Sequence, residues 1–92
     1  MYLSKTNTGN LCPGCVSEKH FLLLIEISGM HSKKVINALR EHLVTGRSRK
    51  DVCEKYNVSQ GYLSGALIRI QRLSQLISSM IFYYTQREAE DT

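Results

Sequence analysis

The sequence predicts an all-α fold, a small helical domain of four to five helices arranged around a central helix-turn-helix. Three observations lead there. Apolar residues recur at helical spacing in successive segments. Serines stand where those segments should begin. Asn57, with Val58 behind it, separates one short apolar-faced segment from the next.

From Arg47 the chain reads RSRKDVCEKYNVSQGYLSGALIRI. Ser48 is a good N-cap, and Asp51 three residues on resembles the acidic half of a capping box. Val52, Cys53 and Tyr56 fall on one helical face. Asn57 tolerates the left-handed conformation that a tight turn requires. Val58 plugs the corner. Ser59 caps a second helix whose inner face is Leu63, Ala66, Leu67 and Ile70. The first helix needs a small residue where the second crosses it, and Cys53 fills that slot. Cys53, Val58, Leu63 and Leu67 are thus the packing residues of the motif. An ordinary antiparallel helix pair with no nucleic acid in view has the same spacing.

Charge favours the nucleic-acid reading. The chain carries 12 Lys and Arg against 8 Asp and Glu, a net +4. Between residues 47 and 72, Arg47, Arg49, Lys50, Lys55, Arg69 and Arg72 stand against Asp51 and Glu54, which is +4 again. Concentrated positive charge is what a phosphate-binding face requires. Arg49 and Lys50 sit in a first helical turn, where the macrodipole disfavours cations by about 0.3–1 kcal/mol each. Local helix stability therefore does not explain them, whereas a phosphate partner does. A merely solvated basic face is the plainer alternative. The candidate DNA-binding residues are Arg47, Ser48, Arg49, Lys50, Ser59, Gln60, Tyr62, Ser64, Arg69 and Arg72. On the outer face of the second helix stand Ser59, Gln60, Gly61, Ser64, Gly65 and Ile68. Only Gln60 is of the kind that commonly reads base edges, with the serines weaker. Such a helix suits shape or A·T-rich grooves, read by several protomers together.

Ninety-two residues make one domain. A domain this small is marginal alone, and association would add buried surface. The longest apolar run, Phe21 to Ile25, is far too short for a membrane span. MYLSKTNTGN is no secretory signal, so a cytoplasmic protein is expected, without a membrane partner. Residues 1–16 read as a flexible arm, 17–85 as the domain and 86–92 as a polar, acidic, disordered tail. The arm contains Cys12-Pro-Gly-Cys15, a pair that elsewhere serves as a redox couple or half a zinc site. No strand pattern precedes it, and a structural zinc needs four ligands. Cys53 is committed to the helix crossing, and His20, His31 and His42 show no ligand spacing. The expectation is a loop with incidental thiols, no metal, no cofactor and no small-molecule ligand; a Cys12–Cys15 disulfide formed adventitiously in purification fits that reading.

Ser17 caps EKHFLLLIEIS, in which Phe21, Leu22, Leu24, Ile25 and Ile27 cover most of a helix circumference. So short and bounded a run also fits a strand, but Glu18-Lys19-His20 and the cap favour a helix. Burial on so many sides suggests that Phe21 and Leu24 meet another subunit. Ser28-Gly29 ends the segment. The next helix starts at His31 or Ser32 and buries Val35, Ile36, Leu39 and Leu43, with Thr45-Gly46 as the break. After the motif, Ala66, Ile70, Leu73, Ile77 and Met80 alternate by four and three, the heptad pattern. Ser74, Ser78 and Ser79 allow a kink or a break near Gln71 to Gln75. This stripe exceeds what one small domain needs, and Leu73, Ile77 and Met80 are expected in an oligomer interface. No nucleophile–base set or carboxylate pair is placed together, so an enzyme is not expected.

HSKKVINALREHLVTGRSRKDVCEKYNVSQGYLSGALIRIQRL, with HFLLLIEIS before it and FYYT after it, resembles the PapB family of adhesin-biosynthesis transcription regulators. The resemblance spans Ser17 to Thr85, and SRKDVCEKY is its most specific part. It implies an all-helical, oligomeric DNA-binding regulator of enterobacterial fimbrial operons, associated with the nucleoid. It also implies A·T-rich, repeated sites in double-stranded DNA, bound by several protomers with minor-groove contacts. Cys12 and Cys15 depart from the family pattern. The competing reading is a helical dimer, a homo-oligomer that binds another regulator without touching DNA. Salt separates the two, because affinity for phosphates falls steeply with ionic strength.

Overall fold

A computed structural model describes residues 10–91, with side chains through Tyr84. Among the described residues there are only helices and connections: α1 (Glu18–Ser28), α2 (Lys33–Arg40), α3 (Arg49–Tyr56) and α4 (Gln60–Asp91). A π-helical turn, Glu41–Thr45, continues α2. The Phe21 segment is therefore helix and not strand. No helix among the described residues is long and apolar enough to cross a membrane.

The ends follow from local chemistry. Ser17, Ser48 and Ser59 each accept, through Oγ, the amide of the third residue on, at 3.1 Å. Each thereby satisfies one of a helix's orphan donors. Gly29 (φ 73°), Gly46 (φ 92°) and Asn57 (φ 56°) end helical segments in the left-handed conformation. Asn57 is the only one of the three carrying a Cβ, and asparagine bears that strain better than most residues.

The core is one cluster to which all four helices contribute. Phe21 and Leu24 come from α1, Val35 and Leu39 from α2, Val52 and Cys53 from α3, and Leu63, Ala66 and Ile70 from α4. Val58 closes the corner between α3 and α4 at 6% exposure. Fully burying a side chain such as Phe21 stabilises by about 1.5–3 kcal/mol, so these few residues set the arrangement of the helices.

Four expectations are corrected. Phe21 and Leu24 are 0% and 2% exposed, so both serve the chain's own core rather than a subunit interface. On α1 it is Leu22, Leu23 and Ile27 that face outward, each more than half exposed. The helix has one face against the body, and spacing of three selects Phe21 and Leu24 for it. Second, residues 10–16 are not a loose arm. Gly14 and Val16 donate their amides to the carbonyls of His42 and Leu43 at 3.1 Å. The Leu11 amide donates to Gln71 Oε1 at 2.9 Å, and Val16 is buried. The rest of the expected arm, residues 1–9, lies outside the described residues. Third, α4 is unbroken through Gln71 to Gln75. Ser79 returns its hydroxyl to the Gln75 carbonyl at 3.1 Å, a bond that a continuous helix accommodates. Fourth, the backbone of the expected tail is helical through Asp91, and Thr92 lies outside the described residues.

A helix of 32 residues is about 48 Å long, which accounts for the 52 Å long dimension of a molecule only 26 × 20 Å across. The core covers α4 up to Ile77. Leu73 and Ile77 are half-buried against it, whereas Leu76, Met80, Ile81, Phe82, Tyr83 and Tyr84 are exposed.

Cys53 is 7% exposed, on the side of α3 packed against α4. Cys53→Ala should cost roughly 1–2 kcal/mol, since the site needs little volume. Cys53→Leu should overpack it and lower the thermal midpoint more than the Ala variant does. Equal melting of the Leu variant and wild type would remove the close-packing role.

Candidate nucleic-acid interface

The sequence puts α3 and α4 three residues apart, and the turn is built from within. The amides of Asn57 and Val58 both return to the Cys53 carbonyl, the latter at 3.0 Å. Lys34 Nζ reaches over from α2 to the Asn57 carbonyl at 3.3 Å. Cys53, Val58 and Leu63 are buried at the crossing and Leu67 is half-buried.

The ten candidate contact residues surround this unit, nine of them exposed and Ser64 half-buried. Arg49 Nη2 donates to Ser64 Oγ at 2.7 Å, tying the start of α3 to the outer face of α4. Arg49 and Arg72 border one groove of about 560 Å³, lined also by Leu11, Pro13, Leu67 and Ile68. Arg69 lies on the other flank and donates to the Ser28 carbonyl at 3.4 Å. There it lines a notch of about 250 Å³ with Tyr62, Gly61 and Gly65. A Cβ added at either glycine would meet nothing within 4 Å, so the chain's own packing does not require them. The structure thus puts Arg49, Ser64 and Arg72 on one flank of α4 and Tyr62 and Arg69 on the other. Ser48 and Ser59 lie at the helix starts, their hydroxyls accepting the capping amides.

Arg47 is held more closely than its sequence position suggests. Its amide donates to the Glu41 carbonyl at 3.0 Å, and its carbonyl accepts from His42 Nδ1 at 2.7 Å. That bond places the ring proton on Nδ1 and gives the buried His42 a structural role. The Arg47 guanidinium lies 3.7 Å from Glu41 Oε1.

Glu41 is the residue that sequence reasoning missed. It lies in the π-helical turn with its side chain 13% exposed. Its Oε2 accepts from the Tyr56 hydroxyl and from Lys55 Nζ, the latter at 2.9 Å. The Tyr56 bond and then the Lys55 bond hold the Glu41 carboxyl below the usual carboxylate range, against the opposing effect of desolvation. The same carboxylate raises Lys55, and raises Tyr56 together with burial. One signal was available: a tyrosine on an inner face needs a partner for its hydroxyl. Arg40, one residue before Glu41, donates from Nε to both Glu18 oxygens at 2.8 and 2.9 Å, an exposed pair. Among the described residues no group of three or more potential metal ligands gathers.

The domain is a four-helix body with cations arrayed round a close-packed helix pair, and comparison with known proteins gives its class. The profile of adhesin biosynthesis transcription regulatory proteins, PapB, matches residues 1–84. The chain is 50% identical over 84 residues to the AFA-III adhesin operon regulatory protein of Escherichia coli, covering 91% of this chain and 83% of that one. It is 49% identical over 79 residues to the Escherichia coli pilus operon regulatory protein PapB, covering 86% and 76%. It matches the crystal structure of Escherichia coli FocB with a TM-score of 0.77 at 48% identity, covering 89% of this chain and 93% of that one. This chain belongs to the PapB family of adhesin biosynthesis transcription regulators.

The Glu41 cluster makes a pH prediction with a definite sign. A carboxyl depressed by folding contributes stability above its unfolded pKa, about 4.3, and loses it as pH falls through the lower folded value. The thermal midpoint of wild type should therefore drop from about pH 4 downward by more than that of Glu41→Gln. Parallel acid profiles for the two proteins would show that the cluster stabilises nothing.

Proposed function

We propose that this regulator acts by binding double-stranded DNA through the helix-turn-helix α3–α4, at A·T-rich repeated sites of a fimbrial or adhesin operon, in the bacterial cytoplasm at the nucleoid. It binds as a homo-dimer or higher homo-oligomer and reads mainly phosphate and shape. The observation that carries this reading is the arrangement of Arg47, Arg49, Lys50 and Arg72 around the helix pair, with Arg49 fastened to Ser64 across it. Arg49, Lys50 and Arg72 contact phosphates, and Arg47 does so from its tether on Glu41. Ser48 and Ser59 set the helix starts that present them, and Tyr62 and Arg69 line the second flank. On the outer face of α4, Gln60 is the one residue equipped for a base edge, where its amide fits adenine. Gly61 and Gly65 leave the outer surface of α4 low, which favours close backbone approach over base-edge contacts.

Oligomerisation is supported by the outer half of α4. Ile70, Ser74 and Ile77 lie on the inner stripe, and Ile81 and Tyr84 continue it by four and three residues beyond the body, at 54% and 61% exposure. Leu76 and Met80, one turn apart, are 53% and 48% exposed beside it. A second chain covering this half would bury what the first cannot. Of the residues expected there, Met80 keeps that role, while Leu73 and Ile77 are half engaged in their own core. The same apolar surface favours the second reading, a helical module that binds another regulator without DNA.

A gel-shift titration against A·T-rich and G·C-rich duplexes at two salt concentrations separates the two. Arg49→Ala should weaken binding on every sequence and reduce the salt slope by about one unit, with Ser64→Ala as a milder companion. Affinity that ignores salt, or survives Arg49→Ala unchanged, would favour the protein-binding module.

The double variant Leu76→Asp with Met80→Asp should sediment as a monomer with its helical content intact. Both side chains stand outside the core, so folding is not the variable. A wild-type protein that is already monomeric at tens of micromolar contradicts the oligomer reading.

A further inference from the structure

The Cys12–Cys15 segment is arranged as more than a loop. Pro13 occupies the second position of a four-residue turn and Gly14 the third, with φ +74°. The Cys15 amide donates to the Cys12 carbonyl at 3.0 Å, closing the turn. Proline then a left-handed glycine is the pattern of a type II turn, whose end Cα atoms lie within about 7 Å. Disulfides span about 4.4–6.8 Å between Cα atoms. Both thiols are free and exposed. The turn is also docked, because Gly14 and Val16 bond His42 and Leu43 in the π-helical turn. A Cβ on Gly14 would come within 3.2 Å of Gly46 Cα, so the turn lies directly against the residue that precedes Arg47.

We propose that Cys12 and Cys15 are a reversible dithiol–disulfide site, oxidised by a low-molecular-weight disulfide such as glutathione disulfide, whose closure stiffens the brace beneath Gly46 and Arg47. One cysteine thiolate attacks a sulfur of glutathione disulfide, forming a mixed disulfide and releasing one glutathione thiolate. The second cysteine thiolate attacks the protein sulfur of that bond and releases the other. The two cysteines lose two electrons and two protons, and the glutathione disulfide takes up both and leaves as two thiols. Buried Cys53 takes no part. A thiol pair of this kind in a reducing compartment is transient and sensing rather than structural.

The test uses the full chain in glutathione redox buffers, with mass spectrometry after acid quenching. The expected product is a monomer lacking two hydrogens, restored by dithiothreitol and unchanged in Cys53→Ala. Cys12→Ser and Cys15→Ser should each stop at a glutathione adduct. On oxidation, hydrogen exchange at the Gly14 and Val16 amides should slow by about tenfold, the effect of closing a short loop in the opened chain. A persistent adduct on wild type, a disulfide-linked dimer, or zinc taken up by the thiols in preference to oxidation would each overturn the proposal. So would exchange at Gly14 and Val16 that is the same in both redox states, because the brace would then be indifferent to the bond.

Discussion

The arrangement of the motif depends on one carboxylate. Glu41 lies where α2 widens into a π-helical turn, and its side chain meets α3 at Lys55 and Tyr56 and the connecting segment at Arg47. Its backbone carbonyl takes the Gly46 and Arg47 amides as well. Two hydrogen-bond donors on Oε2, with the Arg47 guanidinium 3.7 Å from Oε1, offset the cost of desolvating this mostly buried carboxylate, which a single partner would not. Because all of them belong to the start of the basic unit or to its first helix, α3 is fastened to α2 before α4 is considered. The hydrophobic contacts of Val52 and Cys53 then need only set the crossing. A non-directional core leaves the roll of so short a helix loosely specified, and the carboxylate supplies direction.

Much of the fold was legible because its signals are local. Ser17, Ser48 and Ser59 cap helices by bonding three residues along, and Gly29, Gly46 and Asn57 end them through their own backbone preferences. Spacing also identified Cys53, Val58 and Leu63 as interior. What was not legible depends on partners far along the chain. Glu41 looks like any acid on a wet helix face until the π-helical turn brings it to residues 14 and 15 positions away. Asn10 meets Gln71 and Gln75 across 61 and 65 residues, through polar groups that form no pattern. Phe21 and Leu22 are equally apolar, and only the position of the body decides which is core.

The candidate site was legible as a composition and not as a geometry. The cations were evident, but their division was not: Arg49 and Arg72 on one groove, Arg69 and Tyr62 on another. That division arises because α4 presents a new residue every 100° or so, so neighbours in sequence serve different flanks. Gly61 and Gly65, which line the second of these with Arg69 and Tyr62, are not demanded by internal packing.

The single uninterrupted rod of α4 has a consequence for assembly. From Gly61 to Met80 the helix rises about 28 Å without a hinge. Whatever grips the far end therefore fixes the heading of the near end, in rotation as well as in distance. Inserting one residue between Ile77 and Met80 would add only about 1.5 Å but turn the outer apolar stripe by about 100° relative to the basic flanks. In a multi-copy complex joined at that stripe, the phase between successive basic surfaces would be a mechanical property of helix register. It would be retuned in large angular steps by insertions and deletions, and scarcely at all by point substitution.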